Sequence, residues 1–274
     1  MQDILFGFIG VGNMGGALAR AACRGVGADS VLLAGRTPQK VQQLAGQLGC
    51  AAAADNNEVA RRARYIFLGV KPQMMADMLA GIAPVLARRA AEGERFVLVS
   101  MAAGLTTARI AAMAGGDYPV LRIMPNTPVA VGAGMVLTAR NPLVTDGEMQ
   151  EFLRGMAPAG RFDALDESLM DAGSAVAGCG PAFACLFLEA LADGGVACGL
   201  PRAKAQEYAA QMLLGTAALA LGPGQHPAAM KDAVCSPAGS TIQGVQALEE
   251  GAVRGSVMRA VCAAWQKSRS LGES

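Results

Sequence analysis

A glycine-rich turn near the start of the chain constrains the fold more than any other feature. Gly10-Val11-Gly12-Asn13-Met14-Gly15 directly follows the apolar run Leu5–Ile9 and precedes an alanine-rich, helix-like segment. In this spacing the first glycine allows a tight turn, the second lets a pyrophosphate approach the backbone, and the third brings helix and strand together. The motif predicts a Rossmann-type, dinucleotide-binding domain rather than a purely structural turn. The residues expected to contact the dinucleotide here are Gly10, Gly12, Asn13 and Met14.

Short β-rich runs alternate with longer alanine-rich segments through the first half of the chain. The candidate strands are Leu5–Ile9, Ser30–Ala34, Tyr65–Val70, Arg95–Ser100, Pro119–Ile123 and Met135–Thr138. Most are apolar without alternation, as expected of strands covered on both faces of a parallel sheet. Helices are predicted after Thr37-Pro38 and after Lys71-Pro72, because proline suits the first turn of a helix. This rhythm predicts a doubly wound α/β sheet.

From about Asp163 onward the alternation stops and the pattern is helical. The predicted helices are Ser168–Ala177, Pro181–Cys198, Pro201–Leu221, Pro227–Val234, Gly239–Glu250 and Val253–Ser270. Segments such as Ala209–Leu221 are apolar on nearly all faces, and about a hundred residues cannot bury them alone. We therefore predict a dinucleotide-binding domain over residues 1–162 and an all-α domain over residues 163–274. The all-α domain is expected to form a subunit interface, most simply that of a homodimer.

Composition argues against several other classes of protein. The net charge is +1 and no run of Lys or Arg exceeds two residues, so nucleic-acid binding is not predicted. The apolar stretch Ala175–Leu200 is interrupted by Pro181, Glu189 and Asp193, so no membrane span is predicted. Seven cysteines without a C-x-x-C pair and a single histidine, His226, favour a reduced, cytoplasmic protein without a metal site. The apolar N-terminal run is also unlike a secretory signal.

The residues after the second predicted strand bear on the choice of dinucleotide. NAD-binding domains usually place Asp or Glu there to hold the ribose 2′-hydroxyl. This chain has Ala34-Gly35-Arg36-Thr37 instead, which offers a guanidinium fork and a hydroxyl and no carboxylate to repel a 2′-phosphate. The pattern predicts NADPH as the preferred cofactor, with NADH accepted less well. The alternative is that Arg36 is an ordinary solvated surface residue.

An ordered set of motifs covers essentially the whole chain. In chain order they are Phe8–Gly15, Gly69-Val70-Lys71-Pro72-Gln73, Val99–Gly104, Met124-Pro125-Asn126-Thr127-Pro128, Ala177–Phe183 and Ser236-Pro237-Ala238-Gly239-Ser240-Thr241. Together they resemble the pyrroline-5-carboxylate reductase family. The resemblance implies reduction of a cyclic imine, 1-pyrroline-5-carboxylate, to L-proline by hydride from NADPH, the last step of proline biosynthesis. It also implies a dimer, and decamers built as pentamers of dimers occur in resembling proteins.

The resemblance assigns roles to individual residues. Thr241 matches the family position that faces the imine nitrogen, and it is the expected catalytic residue. The expected substrate-binding residues, which would hold a carboxylate at a helix start, are Ser236, Gly239, Ser240 and Thr241. The expected cofactor contacts beyond the glycine-rich turn are Arg36, Thr37, Asn56, Val70, Lys71, Pro72 and Ala102. From the residues alone, the simpler interpretation of Ser236-Pro237 is a helix N-cap followed by a first-turn proline.

Three departures from the family pattern stand out. Ala177 and Cys179 replace serines at the entry to the helical domain, and Phe183 stands where tyrosine is common. Ala238 replaces the first glycine of the substrate loop. Alanine resists a positive φ that glycine adopts freely, so the backbone of this loop is expected to differ more from the family pattern than the other motifs do.

Three different functions stay open at this point. A hydroxyacid dehydrogenase shares the two-domain plan, but resembling enzymes carry a lysine close to the glycine-rich helical entry to handle the hydroxyl proton. Here the first lysine after Gly180 is Lys204. A reductase of different imines would share every motif named above. A non-catalytic NADP-binding protein would share the fold, since fold does not imply function.

Overall fold

The computed structural model describes residues 4–222, 224 and 226–273, with side chains up to residue 270. The chain divides into two compact units. The first comprises Met1–Cys179 and Ala264–Ser274, and the second comprises Gly180–Ala263. The first unit is an α/β domain and the second is helical, as predicted.

The described part of the first unit contains one eight-stranded sheet. Its strands are β1 (Ile4–Ile9), β2 (Val31–Ala34), β3 (Ala51–Ala52), β4 (Ala63–Leu68), β5 (Val97–Ser100), β6 (Val120–Met124), β7 (Gly134–Arg140) and β8 (Gly160–Ala164). Their order across the sheet is β3-β2-β1-β4-β5-β6-β7-β8. The pairings from β3 to β6 are parallel, β7 is antiparallel to β6, and β8 is parallel to β7. The strand order reverses between β1 and β4, where doubly wound sheets bind their ligands.

Twelve helices accompany the sheet in the described residues. They are α1 (Asn13–Val26), α2 (Pro38–Leu48), α3 (Asn56–Arg62), α4 (Met75–Ala91), α5 (Thr107–Ala114), α6 (Asp146–Met156), α7 (Met170–Ala177), α8 (Gly180–Ala197), α9 (Arg202–Ala220), α10 (Pro227–Ala233), α11 (Ser240–Glu250) and α12 (Val253–Glu273). The six helices predicted after Asp163 are confirmed to within three residues at each end. His226 is the N-cap of α10, and its Nδ1 accepts a hydrogen bond from the Ala228 amide at 3.2 Å.

Both faces of the sheet are buried, which explains why its strands lack polar alternation. On one face Phe6, Phe8 and Phe67 pack with Phe152 of α6 and with apolar residues of α1. On the other face a second apolar cluster joins the strands to α3, α4 and α5. Helix layers on both sides are the defining feature of the doubly wound fold, so the predicted class is confirmed.

The six predicted strands are all present, and two strands were missed. β3 has two residues, both exposed alanines, so it gives no apolar signal. β8 is a partly exposed strand at the end of the sheet, and it carries Arg161 and Asp163. The fourth strand ends at Leu68 rather than Val70, because Gly69 already turns beside Gly10.

The division between the two units lies later than the predicted boundary at residues 162 and 163. That boundary falls inside β8, which pairs with β7 through Ala164. α7 also belongs to the first unit, where its Gly173 lies so close to Leu137 of β7 that a Cβ there would be 2.5 Å away. We therefore place the boundary between Cys179 and Gly180. The missing strand signal in β8 is the reason for the difference.

The helical unit leaves much apolar surface uncovered in the single chain. α8 has a single buried residue, Ala192, and α9 has only Ala205 and Ala209. Leu186, Leu214 and Leu219 are about two-thirds exposed. Such a surface is large for a monomer, so the helices require a covering partner.

One helical stretch is long and apolar enough to cross a membrane by length and composition. Glu167–Ala197 spans 31 residues with a mean hydropathy of 1.7, and 11% of its most apolar window is buried. A single such stretch does not overturn the expectation from the sequence, which stays a prediction. The stretch includes both α7 and α8, and a core helix of a soluble protein meets the same test, so it is weak evidence for a membrane protein.

The seven cysteines are all free. Cys185, Cys198 and Cys262 are exposed and the other four are half-buried. None is therefore a fully buried small hydrophobe in the single chain, contrary to the usual position of free cysteine.

Candidate active site

The glycine-rich turn lies where the strand order reverses. The Gly10 amide donates to the Ala34 carbonyl at 2.8 Å, and the Gly69 amide donates to the Ile9 carbonyl at 2.7 Å. Gly10 has a φ of 100°, and a Cβ on it would lie 2.4 Å from the Gly69 carbonyl oxygen. The ends of β1, β2 and β4 therefore approach so closely that only glycine fits at position 10.

The other two glycines of the motif have different surroundings. A Cβ on Gly15 would lie 2.2 Å from the Gly10 carbonyl oxygen, so Gly15 is required by the fold itself. A Cβ on Gly12 would meet nothing within 4 Å. Gly12 is the N-cap of α1, and the first turn of that helix has no acidic residue. The space at Gly12 and the free N–H groups beyond it fit a dinucleotide pyrophosphate.

Asn13 and Met14 begin α1 beside this space. Asn13 is exposed and Met14 is half-buried, with its side chain packed against the core. Both residues therefore border the open side of the turn, where the sequence predicted a cofactor contact.

Arg36 and Thr37 follow the end of β2, next to the glycine-rich turn. Both are exposed, and Thr37 is the N-cap of α2, with Pro38 in the first turn. The Thr37 hydroxyl makes no capping hydrogen bond. Within the described residues no hydrogen bond or ion pair engages the Arg36 guanidinium. A guanidinium and a hydroxyl without protein partners are thus available to an anion at this strand end.

Asn56 and the segment Val70–Pro72 lie at the ends of neighbouring strands. Asn56 is half-buried and begins α3 after β3, where Asp55 caps the helix by accepting from the Glu58 amide. Val70 and Pro72 are half-buried and Lys71 is exposed. Pro72 is the first residue of a 3₁₀ turn, and α4 follows this turn directly. The predicted helix start after Lys71-Pro72 is thus confirmed, although the first turn is 3₁₀ and not α-helical.

The loop after β5 brings Ala102 to the same edge of the sheet. Ala102 is buried, and its amide donates to the Ser100 hydroxyl at 3.4 Å. Gly104 has a φ of 75°, which turns the chain towards α5. The predicted cofactor residues therefore follow the C-terminal ends of five strands. These strands are adjacent in the sheet, in the order β3-β2-β1-β4-β5.

Asn126, in the motif after β6, has a structural task that sequence reasoning did not assign. Its side chain is buried, accepts from the Met135 amide at 2.9 Å and donates to the Ala177 carbonyl at 3.0 Å. It therefore joins the start of β7 to the end of α7. Met124, two residues earlier, packs with Met170 in a small cluster.

The predicted substrate loop lies in the second unit, between α10 and α11. The Gly239 amide donates to the Ser236 carbonyl at 3.0 Å, and a Cβ on Gly239 would lie 2.3 Å from the Ser236 hydroxyl. The N-cap of α11 is Gly239 and not Ser236, so the capping interpretation of Ser236-Pro237 is wrong. Because Gly239 has no side chain to cap the helix, the first N–H groups of α11 remain available to an anion.

Ser240 and Thr241 form the exposed first turn of α11, which has no acidic residue. Lys231, at the end of α10, forms an ion pair with Asp232. The hydrogen bond to Asp232 raises the pKa of the Lys231 ammonium, so this lysine stays charged. The turn thus combines hydroxyl groups and free amides, which is the chemistry that a carboxylate requires.

Ala238 adopts the left-handed conformation that the family pattern reserves for glycine. Its φ is 54°. An L-residue with a Cβ pays about 1–2 kcal/mol for this conformation. The loop therefore carries local strain beside Gly239.

Comparison with known proteins places this chain in a family. The family model described as "Pyrroline-5-carboxylate reductase dimerisation" matches residues 167–271, and the model "NADP oxidoreductase coenzyme F420-dependent" matches residues 5–104. The pyrroline-5-carboxylate reductase of Escherichia coli K12 is 38% identical over 274 residues, covering 98% of each chain. The chain belongs to the pyrroline-5-carboxylate reductase family. The resemblance seen in the sequence motifs is thereby confirmed.

Two further relatives extend the comparison. Pyrroline-5-carboxylate reductase 3 of Macaca fascicularis is 35% identical over 267 residues, covering 97% of this chain and 95% of its own. The crystal structure of the Plasmodium falciparum pyrroline carboxylate reductase with NADP bound superposes with a TM-score of 0.88 at 30% identity, covering 99% of each chain. The Rossmann domain followed by a helical dimerisation domain is thus common to the reductase family and this chain.

Proposed function

We propose that the protein reduces 1-pyrroline-5-carboxylate to L-proline with NADPH, the last step of proline biosynthesis. The observation that carries the proposal is the open turn at Gly12 together with the uncapped start of α11 beside Ser236. The first fits a dinucleotide and the second fits the substrate carboxylate. Kinship over the full length with reductases of this name supports the same assignment.

The first unit is expected to bind and orient the dinucleotide cofactor. The N–H groups after Gly12 hold the pyrophosphate, while Asn56 and Val70–Pro72 border the adenosine and the dinucleotide. Arg36 and Thr37 hold the 2′-phosphate, which is the basis of the preference for NADPH over NADH. When bound, the cofactor supplies the hydride.

Replacing Arg36 with aspartate is expected to reverse this cofactor preference. The carboxylate repels the 2′-phosphate of NADPH and accepts from the 2′-hydroxyl of NADH, so kcat/KM for NADPH should fall roughly 10- to 100-fold. Initial rates with each cofactor measure the ratio. Arg88→Asp, at an exposed arginine in the last turn of α4, is the matched control. An unchanged ratio in Arg36→Asp would make Arg36 a plain surface residue.

On the substrate side the chain anchors the carboxylate and hydrogen-bonds the ring nitrogen. Ser236 and the amides of Ser240 and Thr241 hold the carboxylate at the start of α11. The Thr241 hydroxyl contacts the imine nitrogen and stabilises its protonated form, which is the better hydride acceptor. An imine needs no further acid–base group, and none is assigned.

Replacing Gly239 with alanine is expected to weaken substrate binding. The new methyl group would meet the Ser236 hydroxyl at 2.3 Å, so Ser236 must move away from the carboxylate. KM for the imine should rise about tenfold, the effect of losing one charge-assisted hydrogen bond. Gly244→Ala, in the same helix with open space around its Cβ, is the control. Equal KM values in the two variants would remove Ser236 from the substrate site.

The direct test follows NADPH absorbance on addition of pyrroline-5-carboxylate, with a 2-keto acid and a 3-keto acid as comparison substrates. Oxidation with the imine alone supports the proposal. Turnover with a keto acid would favour the hydroxyacid dehydrogenase, although Lys204 is exposed on α9 and paired with Glu207. NADPH binding without turnover would favour a non-catalytic protein.

The dimerisation domain of this family accounts for the exposed apolar surface of α8 and α9. We expect a second copy, and not lipid or nucleic acid, to cover this surface, giving at least a homodimer in the cytoplasm. Assembly of dimers into a decamer is the larger alternative. Light scattering on the purified protein without detergent measures the subunit number.

A further inference from the structure

A buried arginine that the proposed chemistry does not use lies in the middle of the sheet. Arg122 of β6 is 2% exposed and is the largest fully buried side chain in the described chain. Its neighbours Leu121 and Ile123 belong to the apolar cluster on one face of the sheet. By strand alternation the guanidinium points to the opposite face. A charge in this position is costly unless it is paired.

Two carboxylates from one segment face this guanidinium. Asp171, in the first turn of α7, lies 3.0 Å from Nη2 of Arg122, and Glu167 lies 3.7 Å from Nη1. The Nε of Arg122 is buried and has no hydrogen-bond partner among the described residues. The pairing is therefore incomplete, and burial of such a group gives little stability over an apolar residue of the same size.

Glu167 carries the contact onwards to the loop after β5. Its two carboxylate oxygens accept from the Thr107 amide at 2.7 Å and from the Thr107 hydroxyl at 2.9 Å. Thr107 is buried and is the first residue of α5. The loop of residues 101–106, which contains the cofactor residue Ala102, ends at this point.

The same strand also holds the far end of α7. Asn126, just beyond β6, donates to the Ala177 carbonyl, while Arg122 pairs with Asp171 at the start of the helix. The two polar side chains thus fix α7 at both ends. Glu167, immediately before α7, therefore has a fixed position from which to hold Thr107.

We infer that Arg122 is a positioning residue for hydride transfer, acting through Glu167 and Thr107 on the loop of residues 101–106. The inference rests on the proposed function, because that loop contains Ala102, one of the expected contacts of the cofactor. Displacement of a reacting group by about 1 Å costs on the order of 100-fold in rate. A network that fixes the loop therefore affects kcat more than cofactor affinity.

The test uses two variants that loosen the network at different points. Arg122→Met keeps the bulk and removes the charge, and Thr107→Val removes one hydrogen bond while keeping the shape. Each should lower kcat roughly 10- to 100-fold with KM for NADPH changed less than about threefold. Thr107→Ser, which retains the hydroxyl, should restore wild-type kcat. Arg140→Met, at a half-exposed arginine of β7 paired with Asp146, should behave as wild type.

Nicotinamide fluorescence of bound NADPH gives a readout independent of turnover. A loosened loop should lower this emission in Thr107→Val and not in Thr107→Ser. Wild-type kcat and emission in Thr107→Val would overturn the inference, even if Arg122→Met fails to fold. Absence of imine turnover in the wild-type protein would instead refute the proposed function, and the fluorescence comparison would still decide the role of the network.

Discussion

Alanine in place of Thr241 is expected to lower kcat/KM for pyrroline-5-carboxylate by about 100-fold, because the protonated imine nitrogen loses the hydroxyl oxygen that accepts its N–H. Thr241 is exposed in the first turn of α11 and its hydroxyl serves no helix cap. The folded state therefore loses nothing that it needs, and the melting temperature should not change. The affinity for NADPH, measured by fluorescence titration, should also stay the same, because the cofactor residues belong to the first unit.

Two further variants separate the hydroxyl from other effects of this substitution. Thr241→Ser keeps the hydroxyl and should retain most of the activity. Thr216→Ala removes a hydroxyl of α9 that donates only within its own helix, to the Met212 carbonyl and sulfur, and should leave kinetics unchanged. If Thr241→Ala turns over the imine at the wild-type rate, the assignment of Thr241 is wrong. A loss of NADPH affinity instead would point to an indirect effect on the cofactor domain.

The fold was predictable because its signals are local and mutually consistent. The run Leu5–Ile9 before Gly10-Val11-Gly12 has the form of a buried strand that ends in a tight turn, and the other apolar runs of the first half alternate with alanine-rich helical segments. β8 escaped detection because its exposed Arg161 and Asp163 carry no burial pattern. The domain boundary was predicted at residues 162 and 163 for the same reason, because a boundary inferred from the sequence follows the last strand that can be recognised.

The candidate site was predictable only in part. Motif positions such as Gly12 and Ser236 could be named, but only the backbone shows that Gly239, three residues after Ser236, is the helix cap. Arg122 gave no signal, because a single charge inside an apolar strand does not identify its partners Glu167 and Asp171. Such long-range pairing depends on topology, which the chain acquires only when β6 and α7 pack together.

The three glycines of the cofactor turn are chemically identical in sequence but not in function. Gly10 and Gly15 each face a carbonyl oxygen that a Cβ would approach to 2.4 Å or less. Gly12 has open space and a φ of −67°, which an L-residue adopts without strain. The fold therefore requires the first and third glycines, whereas no steric contact in the described residues requires the second, where we expect the ligand to approach.

Replacing Gly12 with alanine is accordingly expected to weaken cofactor binding strongly without unfolding the protein. The methyl group would occupy the space of the pyrophosphate, and loss of its backbone hydrogen bonds should weaken NADPH binding by roughly 10- to 100-fold or more. The melting temperature without cofactor should stay within about 2 °C of the wild type, since a weaker N-cap and a less flexible unfolded chain offset each other. At the same NADPH concentration, the stabilisation by added NADPH should be smaller than in the wild type.

Gly15→Ala and Gly81→Ala complete the comparison. Gly15→Ala forces a Cβ against the Gly10 carbonyl and should lower the free energy of unfolding by about 1–3 kcal/mol even without cofactor. Gly81→Ala, in α4 with nothing within 4 Å, should keep both stability and NADPH affinity. Tight NADPH binding by Gly12→Ala would contradict the pyrophosphate site, because the open space at position 12 would then have no ligand to explain it. Unfolding of Gly12→Ala would show instead that the fold requires this glycine, as it requires Gly10 and Gly15.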